Sequence, residues 1–204
     1  MWHKVPEMTR EAWLQWRREG IGGSDAAAIL DCSPWSTPYK IWMEKVNDYR
    51  EKENWAMNFG RETEEQSRKE FEDRMGEGFF PLNIQSDRLP WMKASLDGIN
   101  LEGTKVVEIK KASKKDHELA FEGMVPPKYI PQCQHILMIL DLPMLYYFSS
   151  PADGRKGIIL QVQRDTEFIL NTLFVKELEF WKRVVEKCPP PLTEKDKKTF
   201  GIQS

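Results

Sequence analysis

The stretch Val106-Val107-Glu108-Ile109-Lys110 constrains this chain more than any other. Side chains of a β-strand point alternately to opposite faces, so Val107 and Ile109 turn one way while Glu108 and Lys110 turn the other. The aliphatic face packs. Charges on the opposite face of such a strand are costly when buried unless a partner or a metal ion compensates them. Upstream, Ser95-Leu96-Asp97-Gly98 reads as a strand ending in a glycine turn. Pairing the two strands as a hairpin brings Asp97 beside Glu108.

Two carboxylates brought together repel and raise a pKa unless a divalent cation neutralises them, and oxygen donors of this kind suit magnesium or manganese. The backbone carbonyl of Ile109 can supply another oxygen. Lys110, on the same face as Glu108, can orient or help deprotonate an attacking water and stabilise phosphate charge, which is the chemistry of phosphodiester hydrolysis. The same letters also describe an ordinary Asp-Gly turn beside exposed cross-strand charges. Their neighbours must decide.

One neighbour is the helical run Phe59-Gly60-Arg61-Glu62-Thr63-Glu64-Glu65-Gln66-Ser67-Arg68, where Glu64 and Arg68 share a helix face and Glu64 can ligate a metal. Glu62 and Glu65 read as solvated. Another is Tyr129-Ile130-Pro131-Gln132-Cys133-Gln134-His135, where the Gln132 amide can donate to a phosphate oxygen or simply sit on a polar helix face. A third is Ile21-Gly22-Gly23-Ser24-Asp25, a glycine turn into an alanine-rich helix that Ser24 or Asp25 can cap. Such a helix end can receive a phosphate. The three histidines show no metal-ligand spacing and read as structural or surface residues.

With 204 residues the chain suits one domain, expected over residues 1–188, with 189–204 as a loosely attached tail after Pro189-Pro190-Pro191. Helices are expected over Thr9–Glu19, after Thr37-Pro38, over about Gly60–Met75 and around Gln132. Strands follow between Phe79 and Lys111, then at Met144–Ser149 and Gly157–Gln163. Residues after Lys111 read as a polar connection to about Pro127. A long helix begins near Asp165, with Phe168, Leu173, Leu178, Trp181 and Val185 on approximately one face. The fold class is α/β (α+β), a central mixed β-sheet flanked by helices. A formal charge of −2 confines any nucleic-acid contact to a local patch. Three scattered cysteines fit a reduced cytoplasm and cannot ligate an iron–sulfur cluster. No apolar stretch is long enough to span a membrane.

In this order the motifs Trp13…Trp16-Arg17, Gly22-Gly23-Ser24-Asp25, Gly60-Arg61-Glu62-Thr63-Glu64, Ser95-Leu96-Asp97-Gly98, Glu108-Ile109-Lys110 and Tyr129-Ile130-Pro131-Gln132-Cys133-Gln134 resemble the YqaJ-like viral recombinase family, which includes phage alkaline exonucleases. The match covers most of residues 11–165. The resemblance implies a PD-(D/E)XK restriction-endonuclease-like core and two Mg2+ ions, for which Mn2+ can substitute. One would be held by Asp97, Glu108 and the Ile109 carbonyl, the second with help from Glu64, and Lys110 would assist the nucleophilic water. It further implies phosphate contacts from Arg17, Ser24, Ser95 and Gln132, and places Trp13 near the DNA entrance, although such a tryptophan also packs into cores. The implied activity is 5′-to-3′ digestion of one strand of linear double-stranded DNA to mononucleotides by a ring-shaped homotrimer. This would leave 3′ overhangs for a single-strand annealing protein, in the cytoplasm of a bacterial host of a phage or prophage. The segment Cys32-Ser33-Pro34-Trp35 offers no arginine to match the one with which the family binds a 5′-phosphate. An endonuclease or 3′-directed nuclease with the same metal chemistry, and a noncatalytic DNA-end-binding module, are the competing readings.

Overall fold

The computed structural model describes residues 1–47 and 55–201, with residues 55–62 described by their backbone alone. Among the described residues seven strands form one sheet: β1 (Trp2–Lys4), β2 (Ile21–Gly22), β3 (Phe80–Ser86), β4 (Met92–Ile99), β5 (Val106–Ala112), β6 (Met144–Pro151) and β7 (Ile158–Gln163). Their order is β1-β3-β4-β5-β6-β7, with β2 attached to β4. Most pairs are antiparallel, but β5–β6 and β2–β4 are parallel, so the sheet is mixed as expected. Because β3 takes one edge of β4, its other edge is shared, β2 pairing at Met92 and Lys93 and β5 at Gly98 and Ile99.

Alternation governs both central strands. Met92, Ala94 and Leu96 go into the main core and alternate with Lys93, Ser95 and Asp97; the register shift opposite Phe80 and Leu82 then turns Ile99 into that core and Gly98 toward Val107. Val107 and Ile109 of β5 pack with Phe71, Phe79 and Phe148 in a second cluster beneath α4 (Trp55–Met75). Gly98 is required here: an added Cβ would lie 2.9 Å from Val107 Cγ1 and 3.0 Å from Phe79 Cβ.

The helices are α1 (Arg10–Arg18), α2 (Ala26–Ile29), α3 (Pro38–Val46), α4, α5 (Lys114–Phe121), α6 (Ile130–Leu140), α7 (Thr166–Phe168), α8 (Phe174–Val185) and α9 (Glu194–Phe200). Thr9 and Thr37 cap α1 and α3 by accepting from the Ala12 and Lys40 amides. Four expectations need correction. Ser113 caps α5, where a polar connection was expected, because few apolar residues mark it at helical spacing. Helix α4 begins at Trp55, ahead of the glycine expected to start it. The long C-terminal helix is broken by a π-turn at Ile169–Leu173, so five-residue steps bring Phe168, Leu173 and Leu178 inward while Val185 is left exposed. The tail is not loose. Asp196 of α9 is buried, closes a capping box with Thr193 and accepts from Thr37 Oγ1 at 2.5 Å. No helix among the described residues is long and apolar enough to cross a membrane.

Candidate active site

The β4–β5 pairing, Gly98 opposite Val107 and Ile99 opposite Val106, stops one residue short of Asp97 and Glu108, so the hairpin sets the two carboxylates at the end of its paired stretch. Asp97 Oδ2 accepts from the Ile109 amide at 2.7 Å, which fixes its carboxylate against β5. Glu108 is 1% exposed. Its Oε1 takes both Lys110 Nζ at 2.5 Å and Gln132 Nε2 at 2.6 Å, whereas its Oε2 is buried without a hydrogen-bond partner. Glu64 approaches from α4. Arg68, one turn on, donates to Glu64 Oε1 at 3.3 Å and to the Asp97 carbonyl at 2.9 Å, so one guanidinium ties helix to strand.

The charges at this site are unbalanced. Burial, followed by the neighbouring Asp97 charge, pushes Glu108 up to about 8 and Glu64 up to about 7. Burial also raises Asp97, against the pull of Lys110 and the Ile109 amide. Burial works against the ammonium of Lys110, yet Glu108 and Asp97 outweigh it and its pKa rises. As held here, Lys110 donates a hydrogen bond to Glu108. Among the described residues no three His, Cys, Asp or Glu side chains stand close enough to chelate an ion as they are placed, and Lys110 is the cation that Glu108 meets. The donor set nonetheless fits a hard divalent cation: Asp97, Glu108 and Glu64 offer only oxygens, and Glu108 Oε2 is a buried acceptor with nothing to accept.

Beside this cluster lies a pocket lined by Arg17, Ser24, Ser95 and Gln132, the four residues expected at phosphate, together with Trp13, expected near the DNA entrance. Gln132 links the two places, lining the pocket while donating to Glu108. Arg17 donates to Ser24 Oγ at 2.7 Å and to Asp25 Oδ1 at 3.0 Å. Ser95 accepts from Trp13 Nε1 at 3.1 Å and donates to Asn83 Oδ1 at 2.7 Å. The five therefore converge, but α2 is a single turn and contributes little dipole. Asp25 does not cap it. Its Oδ2 accepts from the Gly22 amide and from Lys45 Nζ, and despite its burial, Lys45 and Arg17 hold its carboxyl down at about 2.

Sequence reasoning gave no role to Lys45 or Lys93, read Asp25 only as a possible helix cap and Tyr129 only as part of a motif. Strand alternation could have found Lys93, since it lies two and four residues before Ser95 and Asp97 on one face of β4. It lines the pocket and donates to the Trp16 carbonyl at 2.7 Å. Lys45 carries no such signal; it crosses from α3 to donate to the Arg17 carbonyl at 2.9 Å and to Asp25. Two histidines are structural. His135 is fully buried between Glu177 and the Lys93 carbonyl, and His117 contacts Ser149. The side chains of Gly60-Arg61-Glu62 lie outside the described residues.

Residues 12–142 match the family model of the YqaJ-like viral recombinase domain. The chain belongs to this family. Its similarity to the YqaJ protein of Bacillus subtilis (strain 168) is 32% identity over 183 residues, 87% of this chain and 57% of that one. The chain thus spans a little over half the length of this YqaJ relative. An alkaline exonuclease (LHK-Exo) from Laribacter hongkongensis shares the fold at a TM-score of 0.73, with 19% identity, covering 94% of this chain and 98% of that chain. That exonuclease has also been solved in complex with dAMP. A phage-related exonuclease from Haemophilus somnus 129PT aligns at a TM-score of 0.61 and 13% identity, over 82% of this chain and 96% of that one. At these identities the likeness is one of fold. That shared fold is a mixed sheet flanked by helices.

Proposed function

We propose that this chain is a metal-dependent deoxyribonuclease, a 5′-to-3′ exonuclease that removes mononucleotides from one strand of linear double-stranded DNA and leaves 3′ overhangs. The observation that carries the reading is Glu108: a buried carboxylate with one oxygen unpartnered, within reach of the Asp97 charge, with Lys110 beside it and a pocket of polar side chains reached through Gln132. A structural strand has no use for this arrangement. A hydrolase has.

Asp97, Glu108, the Ile109 carbonyl and Glu64 would hold Mg2+, two ions per site, with Mn2+ able to substitute. Bound there, the metal supplies Lewis-acid charge for phosphoryl transfer and lowers the pKa of water. The chain's own residues do the rest. Lys110, held beside Glu108, would donate a hydrogen bond to the attacking water or a non-bridging phosphate oxygen. Arg17 and Ser24 present donors on one wall of the pocket, Ser95 can join them by turning its hydroxyl from Asn83, and Gln132 stands between that wall and Glu108. Trp13, under the guanidiniums of Arg10 and Arg17, holds one side of the wall.

Fold likeness to LHK-Exo, a protein also solved with dAMP, supports a deoxynucleotide product. Direction, a ring-shaped homotrimer, loading of a single-strand annealing protein on the 3′ strand and residence in the cytoplasm of a phage host belong to the same proposal, on the strength of family membership. The test is digestion of end-labelled linear duplex with magnesium, in parallel with closed circles. Mononucleotides released from 5′ ends with circles intact are expected. Nicked or linearised circles would make it an endonuclease, and product from the 3′ end would reverse the polarity. Lys110→Ala should slow hydrolysis by about 10²–10⁴-fold while DNA binding in calcium persists; hydrolysis at the wild-type rate would remove Lys110 from the mechanism.

A further inference from the structure

Just outside the metal cluster, three aromatic rings stack in series toward solvent. Tyr147 is buried, Tyr129 lies 5.9 Å from it, and Trp35 lies a further 5.9 Å out, inclined at 29° to Tyr129 and 52% exposed. The middle ring of the series borders the catalytic machinery, because Lys110 Nζ sits 5.4 Å from the centre of the Tyr129 ring. Lys128 covers the junction of the outer pair, 4.8 Å from the Trp35 ring and 5.1 Å from Tyr129, and is held there by Asp116 at 2.9 Å. The loop that carries Trp35 is braced as well: Ser33 Oγ accepts from the Trp35 and Ser36 amides, both at 3.2 Å. A large ring presented half to water, on a fixed stack and beside a fixed cation, is not accounted for by packing.

We infer that Trp35 is a stacking platform for a nucleobase, taking an unpaired base of the DNA strand whose phosphate lies at the Glu108–Lys110 site. The inference rests on the nuclease reading above. A base offers a flat π-face of any sequence, and stacking on a preorganised aromatic is the sequence-tolerant way to hold single-stranded nucleic acid. Preorganisation matters because a ring already fixed by Tyr129, Lys128 and Ser33 loses little freedom on binding. Lys128 adds a positive charge where the backbone of that nucleotide would run, on the same rim where Cys32-Ser33-Pro34 supplies no arginine. The base must be unpaired, since a ring stacked within a duplex has no free face; the platform therefore selects frayed or single-stranded termini over closed base pairs.

The test measures binding of short oligonucleotides in calcium, with thymine at every position or with one abasic residue moved along an otherwise identical backbone. Wild type should bind the abasic series about 5- to 100-fold more weakly when the missing base falls at one or two positions near the 5′ end. Trp35→Ala should bind all members alike, at the level of the weakest wild-type complex, and Trp35→Phe should restore part of the difference. Equal tightness for every member in wild type, or an unchanged positional profile in Trp35→Ala, overturns the platform. Magnesium-dependent digestion by wild type separates the two readings. Digestion with a flat abasic profile sinks the platform alone, whereas neither digestion nor binding sinks the nuclease reading with it.

Discussion

Asp25 and Glu108 are both buried carboxylates, each with a lysine ammonium in contact, yet they are driven in opposite directions. Burial would raise both. At Asp25, Lys45 and Arg17 together outweigh burial and the pKa falls to about 2. At Glu108, Asp97 adds a second negative charge, the single ammonium of Lys110 does not compensate, and the pKa climbs to about 8. The first site is electrically closed by the chain itself and works as a brace, holding Arg17 at the pocket. The second is left one cation short, and that shortfall is what makes it a place for chemistry. A buried charge fully matched by its neighbours reads as architecture; a mismatch reads as a site.

The comparison breaks most readily at Asp25. Replacing it by asparagine leaves Lys45 buried with its counter-charge gone, which costs about 3–5 kcal/mol for such pairs and lowers the melting temperature by roughly 6–20 °C. Thermal unfolding of Asp25→Asn checks this at neutral pH. A fall of less than about 2 °C would mean the brace is not electrostatic. Glu108 should answer with the other sign. Glu108→Gln removes a carboxyl that the folded state strains to ionise, so in EDTA at pH 8 its melting temperature should rise by roughly 2–6 °C, with hydrolysis lost. A lower melting temperature than wild type would show that Lys110 alone satisfies Glu108 and that the site is not short of charge.

The two sites also differed in how far they could be read from the sequence. Glu108, Lys110 and Asp97 announced themselves because a strand alternates with period two, and an aliphatic–charged alternation is an anomaly that local rules detect. The sheet, its mixed character and caps such as Thr9 and Thr37 follow from equally local signals. Asp25 and Lys45 are 20 residues apart on different elements, and nothing in the letters says that an ammonium from α3 will reach under the Gly22–Ser24 turn. Glu64 could be placed only by sharing a helix face with Arg68, which the structure then shows bridging to the Asp97 carbonyl. Helix α5 went unread for want of an apolar stripe, and the π-turn scrambled the spacing of the last long helix. What local periodicity encodes was legible, and what depends on which elements meet was not.

The shortfall is also tested directly through pH, where the effect is smallest for each proton and each pH unit. In the metal-free protein Glu108 and Glu64 hold protons at pH values where the unfolded chain, titrating near 4.5, has released them. Between pH 4.5 and about 7 to 8 the folded state therefore binds more protons, and these two groups reduce stability as pH rises. Magnesium needs the ionised carboxylates, so protons compete with it below about pH 7 and cease to compete above about pH 8. The magnesium-induced rise in melting temperature should then grow from pH 6 to pH 8 by roughly 2–4 °C per unit for each proton displaced, and level off beyond. In Glu108→Gln the dependence should shrink and shift down to the range of Glu64 alone. A magnesium shift that is flat from pH 6 to pH 9 in the wild type would mean that the cation binds without displacing protons from Glu108, and the contrast with Asp25 would lose its physical basis.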